Sequence, residues 1–149
     1  MAILSDQVKR QLQDRFAERL SGPVQLTLYM RPGSGRLILP SGFGCATCDD
    51  ARQLSEELQE AAPDLVQLRV VDVSAEDSDV TEVPTLTVAF PGESARIRWQ
   101  GLPAGYEFAT VVDAVERVSS GGHGLAAASL EALAGLTEPV DVMVFATPT

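Results

Sequence analysis

The feature that most constrains the fold of this chain is a predicted helix between two predicted strands. Residues Val24–Met30 alternate between apolar and more polar side chains, which is the period of a half-buried strand. Residues 65–73 are rich in Val and Leu, as buried strands are. Residues 46–62 carry apolar side chains at helical spacing and are followed by Pro63. This order predicts a βαβ unit and therefore a parallel strand pair.

The remaining patterns complete an α/β fold. A four-residue apolar spacing predicts a leading helix over residues 5–20, and inward-facing valines predict a later helix over residues 106–118. Two short strands, 85–90 and 95–100, flank the turn residues 91–94 and predict a hairpin. We therefore expect a mixed central sheet flanked by helices, with an extra N-terminal helix.

Residues 139–148 repeat the pattern of residues 23–32. Both stretches begin and end with Pro and carry alternating apolar side chains, at a constant offset of 116 positions (139 against 23, 148 against 32). An Ala/Leu-rich helix predicted at 125–136 precedes the repeat. We therefore predict one domain over 1–120 and, over 121–149, the linker, first helix and first strand of a truncated second unit. Because that last strand lacks a sheet partner, we expect it to support a homodimer.

The charge balance excludes several classes of partner. The chain has 21 acidic and 11 basic residues, a formal net charge of −10, so a phosphate backbone or an anionic membrane would repel it. No apolar run reaches the roughly 20 residues that span a bilayer, and residues 1–10 contain no signal-peptide core. We expect a cytoplasmic protein that binds neither nucleic acid nor membranes.

Cys45 and Cys48 lie at the predicted start of the helix that follows the first strand. Thiol–disulfide exchange needs an attacking thiolate and a second thiol within reach, and a Cys-x-x-Cys motif supplies both. Unpaired backbone N–H groups and the helix dipole favour a thiolate, so Cys45 is predicted as the nucleophile and Cys48 as the resolving thiol. Asp49 and Asp50 follow immediately and oppose that thiolate.

Two other interpretations of the cysteine pair stay open. The pair could be half of a zinc site, but with His123 as the single histidine such a site would need dimerisation to reach four ligands. Both cysteines could also be inert core residues. We expect no metal, because one cysteine pair and one histidine are too few ligands within a single chain. We expect no bound flavin or nicotinamide cofactor, because no dinucleotide-binding glycine fingerprint is present. Electrons would then arrive from a separate reductase or from small thiols.

Three further features are interpreted structurally. Glu56, Glu57 and Glu60 are predicted to form a solvated helix face. Trp99 is predicted to contribute packing rather than a site. Residues 31–44 predict a long loop that either covers the cysteines or is a simple insertion.

The element order resembles the thioredoxin-like fold, with an extra N-terminal helix and the first helix and strand of a second thioredoxin-like unit. Proteins of this fold keep a cis-proline loop beside their cysteines, and Val83 and Pro84 occupy the corresponding position. The resemblance implies that the Val83–Pro84 bond is cis and that the Val83 backbone pairs with an extended substrate.

Particular runs of residues resemble the protein disulfide oxidoreductases, glutaredoxin-like proteins with two tandem thioredoxin-fold units. The most specific is Gly-Leu-Pro-Ala-Gly-Tyr-Glu-Phe at 101–108; residues 3–6, the cysteine pair, residues 83–85 and residues 144–149 also match. The N-terminal domain of the flavoprotein component of alkyl hydroperoxide reductase is a close second, on residues 121–123 and the short connection 74–82.

The resemblance implies a thiol–disulfide oxidoreductase or electron-transfer protein in cell redox homeostasis. Its substrates would be protein disulfides or small thiols, and its reductant a separate flavoprotein or glutathione. A rival function from another class is a non-catalytic interaction module in which the two cysteines are vestigial.

Overall fold

The computed structural model describes residues 2–31, 44–75 and 78–147 of the chain. Most of the predicted 31–44 loop therefore lies outside the described residues, as do Pro148 and Thr149 of the repeat. In chain order the described elements are α1 (Asp6–Arg19), β1 (Val24–Met30), α2 (Cys48–Ala61), β2 (Val66–Asp72), β3 (Thr85–Ala89), β4 (Ile97–Gln100), α3 (Tyr106–Ser120) and α4 (Ala127–Ala134).

The sheet has the strand order β2-β1-β3-β4 and is mixed, as predicted. Strand β1 runs parallel to β2, with Val24 opposite Val66, which confirms the βαβ unit. Strand β3 is antiparallel to both β1 and β4, which confirms the hairpin. The element order and the four-stranded sheet confirm the α/β prediction.

The core is built on one face of β1, because strand alternation directs every second side chain to the same side. Helix α2 packs on β1 and β2, α3 packs on β3 and β1, and α1 packs against both helices. The buried side chains of these elements form one cluster, which includes Phe16, Val24, Leu26, Leu28, Leu58, Leu86, Val111 and Val115.

Glu57 corrects the prediction of a fully solvated helix face. Only 2% of Glu57 is exposed, and its carboxylate accepts hydrogen bonds from the backbone N–H groups of Ile3 (3.1 Å) and Leu4 (2.8 Å). Lys9 Nζ lies 3.2 Å from the same carboxylate. Glu57 therefore joins the chain ahead of α1 to the middle of α2.

Ser119 corrects the predicted end of the main domain's last helix. Helix α3 continues to Ser120, and Ser119 is buried. Its Oγ accepts from the N–H groups of Ser21 and Gly22 (both 3.0 Å) and donates to the Gly22 carbonyl (2.7 Å). One hydroxyl therefore ties the end of α3 to the turn between α1 and β1.

The C-terminal part of the chain differs most from the prediction. Helix α4 is shorter than the predicted 125–136, and residues 139–146 form no strand. A strand requires hydrogen-bonding partners, and Val142 and Phe145 are 83% and 93% exposed. The assignment of 121–149 to a second unit stays a prediction. None of the helices in the described ranges is long and apolar enough to cross a membrane.

Candidate functional site

The Cys-x-x-Cys motif lies at the amino end of α2, after the carboxyl end of β1. Cys48 is the first residue of α2, and Cys45 precedes it by one turn. Thr47 occupies the position before the helix, where its carbonyl accepts from the Ala51 N–H at 2.9 Å. Its side chain makes no capping hydrogen bond. The first N–H groups of α2 therefore point toward the motif without a side-chain cap from Thr47.

Cys45 and Cys48 form a disulfide, with their Cα atoms 5.4 Å apart. The two sulfur-bearing residues have different surroundings. Cys48 is fully buried in the core cluster, whereas Cys45 packs against that cluster and is partly exposed. A disulfide with one reachable and one buried cysteine has the asymmetry that exchange chemistry needs, because an incoming group can approach only one side.

The Val83–Pro84 peptide bond is cis, as the fold resemblance implies. Pro84 directly precedes β3, whose first residue Thr85 pairs with Tyr29 near the carboxyl end of β1. Because the motif follows that same end of β1, the proline turn and the cysteines belong to one end of the sheet.

The backbone at this turn is only partly hydrogen-bonded. The Pro84 carbonyl accepts from the Gly101 N–H at 2.8 Å, and Thr85 Oγ1 donates to the Glu82 carbonyl at 2.7 Å. Neither the N–H nor the C=O of Val83 is hydrogen-bonded to another described residue. These two groups are therefore available to an extended chain.

Acidic side chains border the motif. Asp49 and Asp50 are exposed in the first turn of α2, where they interact favourably with the helix dipole. The same negative charges destabilise a thiolate at Cys45, whereas the N-terminus of the helix stabilises it.

The other candidates from the sequence have different positions. Trp99 packs against the core and donates from Nε1 to Thr110 Oγ1 at 3.0 Å, so the packing prediction is confirmed. His123 is exposed, and its Nδ1 accepts from the Leu125 N–H at 3.0 Å. Within the described ranges, no group of three or more His, Cys, Asp or Glu residues could hold a metal ion.

Sequence reasoning missed the burial of Glu57, although a signal was present. Glu57 lies three residues after Leu54 and four before Ala61, so it shares the apolar face of α2. A charged residue at such a position indicates a buried partner elsewhere in the chain.

A mixed sheet of this order, a Cys-x-x-Cys disulfide at a helix start and a cis-proline before the next strand define the chain as a thioredoxin-fold protein with a cysteine-pair site. Comparison with solved structures supports this assignment to the thioredoxin fold. A protein disulfide oxidoreductase from Aeropyrum pernix is 31% identical with a TM-score of 0.70, over 89% of this chain and 55% of that one. The resemblance to the protein disulfide oxidoreductases is thus confirmed.

The resemblance to the N-terminal domain of the flavoprotein component of alkyl hydroperoxide reductase is confirmed at the level of the fold. A mutant of the alkylhydroperoxide reductase AhpF from Enterococcus faecalis is 17% identical with a TM-score of 0.69, over 90% of this chain and 61% of that one. An N-terminal domain structure of the same protein is 18% identical with a TM-score of 0.66, over 86% and 58%. The chain spans little more than half the length of these three solved chains. No protein-family model and no curated protein matches the chain.

Proposed function

We propose that the protein is a thiol–disulfide oxidoreductase that uses the Cys45–Cys48 pair. The observation that carries this proposal is the disulfide itself, formed between a partly exposed and a fully buried cysteine at the start of α2. The likeness to a protein disulfide oxidoreductase supports it.

In the reductive direction, the Cys45 thiolate attacks one sulfur of a substrate disulfide. A mixed disulfide forms, and the other substrate sulfur leaves as a thiolate that takes up a proton. The Cys48 thiol loses its proton and attacks the Cys45 sulfur, which releases the second substrate thiol and re-forms the Cys45–Cys48 disulfide. Two electrons have then passed from the dithiol to the substrate.

The Val83 backbone and the Pro84 turn form the substrate groove in this proposal. An extended segment of a protein substrate pairs with the N–H and C=O of Val83, which are not bonded to other described residues. That pairing holds the substrate disulfide beside Cys45, because both elements lie at the same end of the sheet.

The cycle requires an electron donor outside the chain. We propose a flavoprotein reductase or glutathione as the donor and protein disulfides or small thiols as substrates, with a cytoplasmic role in electron transport and redox homeostasis. A reducing compartment favours such use of paired cysteines over a permanent bridge.

Turnover assays of insulin reduction and of glutathione-coupled reduction test the proposal. The wild type should be active, while Cys45→Ser should lose activity to background and Cys48→Ser should lose turnover. An exposed variant on the same helix, Glu60→Gln, should keep wild-type activity. Equal and negligible rates for the wild type and Cys45→Ser would favour the interaction module instead.

A further inference from the structure

The turn at Val83 and Pro84 is joined to the end of β4 by one backbone hydrogen bond. The Gly101 N–H donates to the Pro84 carbonyl at 2.8 Å. Gly101 directly follows β4, whose last residue, Gln100, lies opposite Thr85 at the start of β3. Because proline has no N–H to donate in return, this is the only backbone hydrogen bond that Pro84 and Gly101 can form with each other.

Gly101 makes that hydrogen bond in a backbone conformation that other residues rarely adopt. Its φ is +105°, which a Cβ disfavours, although a Cβ at this position would meet nothing within 4 Å. The glycine is therefore required by the direction of the backbone rather than by a lack of space. Any other side chain would favour a negative φ, and the peptide plane that carries the N–H would then turn relative to Pro84.

The chain on both sides of Gly101 is held by the domain. Trp99 packs against the core cluster, and its Nε1 donates to Thr110 Oγ1 at 3.0 Å, which ties β4 to α3. Leu102 packs against the same cluster. Gly101 therefore has a fixed position, and its N–H determines where the Pro84 carbonyl lies.

Val83 uses its side chain and its backbone differently. The side chain packs against the core cluster, whereas the N–H and C=O are not bonded to other described residues. The Val83 carbonyl lies in the planar peptide unit that Pro84 completes. A hydrogen bond that fixes Pro84 therefore also fixes the direction of the Val83 carbonyl.

We propose, on the basis of the exchange function above, that Gly101 is a positioning residue for protein substrates. Through its hydrogen bond to Pro84, it holds the Val83 backbone in the orientation that an extended peptide segment needs for pairing. A small disulfide has no peptide segment to pair with Val83, so it reaches Cys45 without this help. Gly101 therefore makes the site favour protein disulfides over small disulfides.

Single-turnover oxidation of the reduced protein tests this proposal, with acid quenching and mass spectrometry as the readout. Insulin serves as the protein disulfide and bis(2-hydroxyethyl) disulfide as the small one. Gly101→Ala should raise the half-saturating insulin concentration roughly five- to tenfold, the size expected for one loosened hydrogen bond, with an unchanged limiting rate. Its rate constant with the small disulfide should equal that of the wild type.

Gly92→Ala is the matched control. Gly92 has a φ of +86°, and a Cβ there also meets nothing within 4 Å, but it lies in the turn between β3 and β4, at the opposite end of the sheet from the cysteines. Both alanine variants should lower the midpoint of urea unfolding by similar amounts, because both strain a positive φ. Only Gly101→Ala should change the reaction with insulin.

Gly101→Asn is a milder variant, because asparagine tolerates a positive φ better than alanine does. Its half-saturating insulin concentration should fall between those of the wild type and Gly101→Ala. If Gly101→Ala does not fold, the comparison is made between Gly101→Asn and Gly92→Asn, and only the former should be impaired with insulin.

Several results would overturn the proposal. These are equal insulin kinetics in the Gly101 and Gly92 variants, an equal loss with insulin and with the small disulfide in Gly101→Ala, and a larger effect of Gly101→Asn than of Gly101→Ala. Failure of the exchange function itself gives a different result, because the reduced wild type would then transfer electrons to neither disulfide, and both proposals would fall.

Discussion

The Glu57 carboxylate in the middle of α2 accepts a 2.8 Å hydrogen bond from the backbone N–H of Leu4, 53 residues away in the sequence. With Ile3 and Lys9 it forms a charged contact that fixes the start of α1 on the domain. Because α2 also carries Cys48, the same helix joins the N-terminal segment to the candidate site.

We expect Glu57→Gln to destabilise the fold by about 1–3 kcal/mol, because the amide replaces a charged acceptor with a group that competes as a donor. Urea unfolding at neutral pH measures the loss. Glu60→Gln, at an exposed position on the same helix, is the control and should change the free energy of unfolding little. An equal effect of the two substitutions would mean that the Glu57 contacts contribute nothing.

The contribution of Glu57 should also depend on pH. Burial raises the pKa of Glu57, but the hydrogen bonds from Leu4, Lys9, Ile3 and Gln53 outweigh it and lower that pKa below its usual value. The folded state therefore favours the carboxylate. Its stabilisation is fully present above the unfolded pKa of about 4.3 and is lost as pH falls through the lower folded pKa.

Unfolding curves of the wild type and Glu57→Gln should therefore converge as the solution is acidified below about pH 4. A difference that grows on acidification would show that the folded state raises this pKa instead.

We expect Gly22→Ala to destabilise the domain by roughly 1–3 kcal/mol. A Cβ at Gly22 would lie 2.7 Å from the Ser119 carbonyl oxygen, a backbone atom at the end of α3. The turn before β1 or the last turn of α3 must then move. Gly44→Ala is the control, since a Cβ there meets nothing within 4 Å. In thermal unfolding, Gly22→Ala should have a clearly lower midpoint temperature than Gly44→Ala.

Ser119→Ala should cost about 1–3 kcal/mol, because the N–H groups of Ser21 and Gly22 lose their acceptor in a partly buried turn. Amide hydrogen exchange should accelerate at these two residues in particular. Ser120→Ala changes the neighbouring exposed hydroxyl and serves as the comparison. Unchanged exchange in Ser119→Ala would mean that the hydroxyl does not hold the turn.

Removing the negative charges of Asp49 and Asp50 should make the reduced Cys45 more reactive. Asp49→Asn with Asp50→Asn should speed alkylation by iodoacetamide roughly two- to threefold at low ionic strength, and added salt should shrink the difference. The physical reason is that less negative charge opposes the thiolate at the start of α2. A slower reaction in the double variant would contradict this account of the charges.

Local pattern and fold resemblance predicted much of the structure. The alternation of Val24–Met30 and the helical spacing over α2 depend on near neighbours in sequence, so they could be recognised without the fold. The cis bond before Pro84 followed from the fold resemblance rather than from residues 83 and 84 alone. The cysteine pair was found because its spacing on a helix brings both residues together.

Other features depended on partners distant in sequence. The position of Glu57 on the apolar face of α2 indicates its burial, but the pattern within α2 does not identify its partners, residues 3, 4 and 9. The alternation of residues 139–146 predicted a strand, but alternation describes a surface and cannot supply the neighbouring strand that the backbone requires. The hydrogen bonds of Ser119 could not be predicted either, because their partner is the turn at Gly22, far away in the sequence.

Trapping of the mixed disulfide tests the central claim most directly, namely that Cys45 is the reachable, attacking sulfur. Reduced Cys48→Ser and Cys45→Ser would each be mixed with a peptide disulfide and analysed by intact-mass and peptide mass spectrometry. The account predicts a stable adduct on Cys45 in the first variant and little or none on the buried Cys48 in the second. Equal labelling of both variants, or an adduct formed preferentially on Cys48, would contradict it.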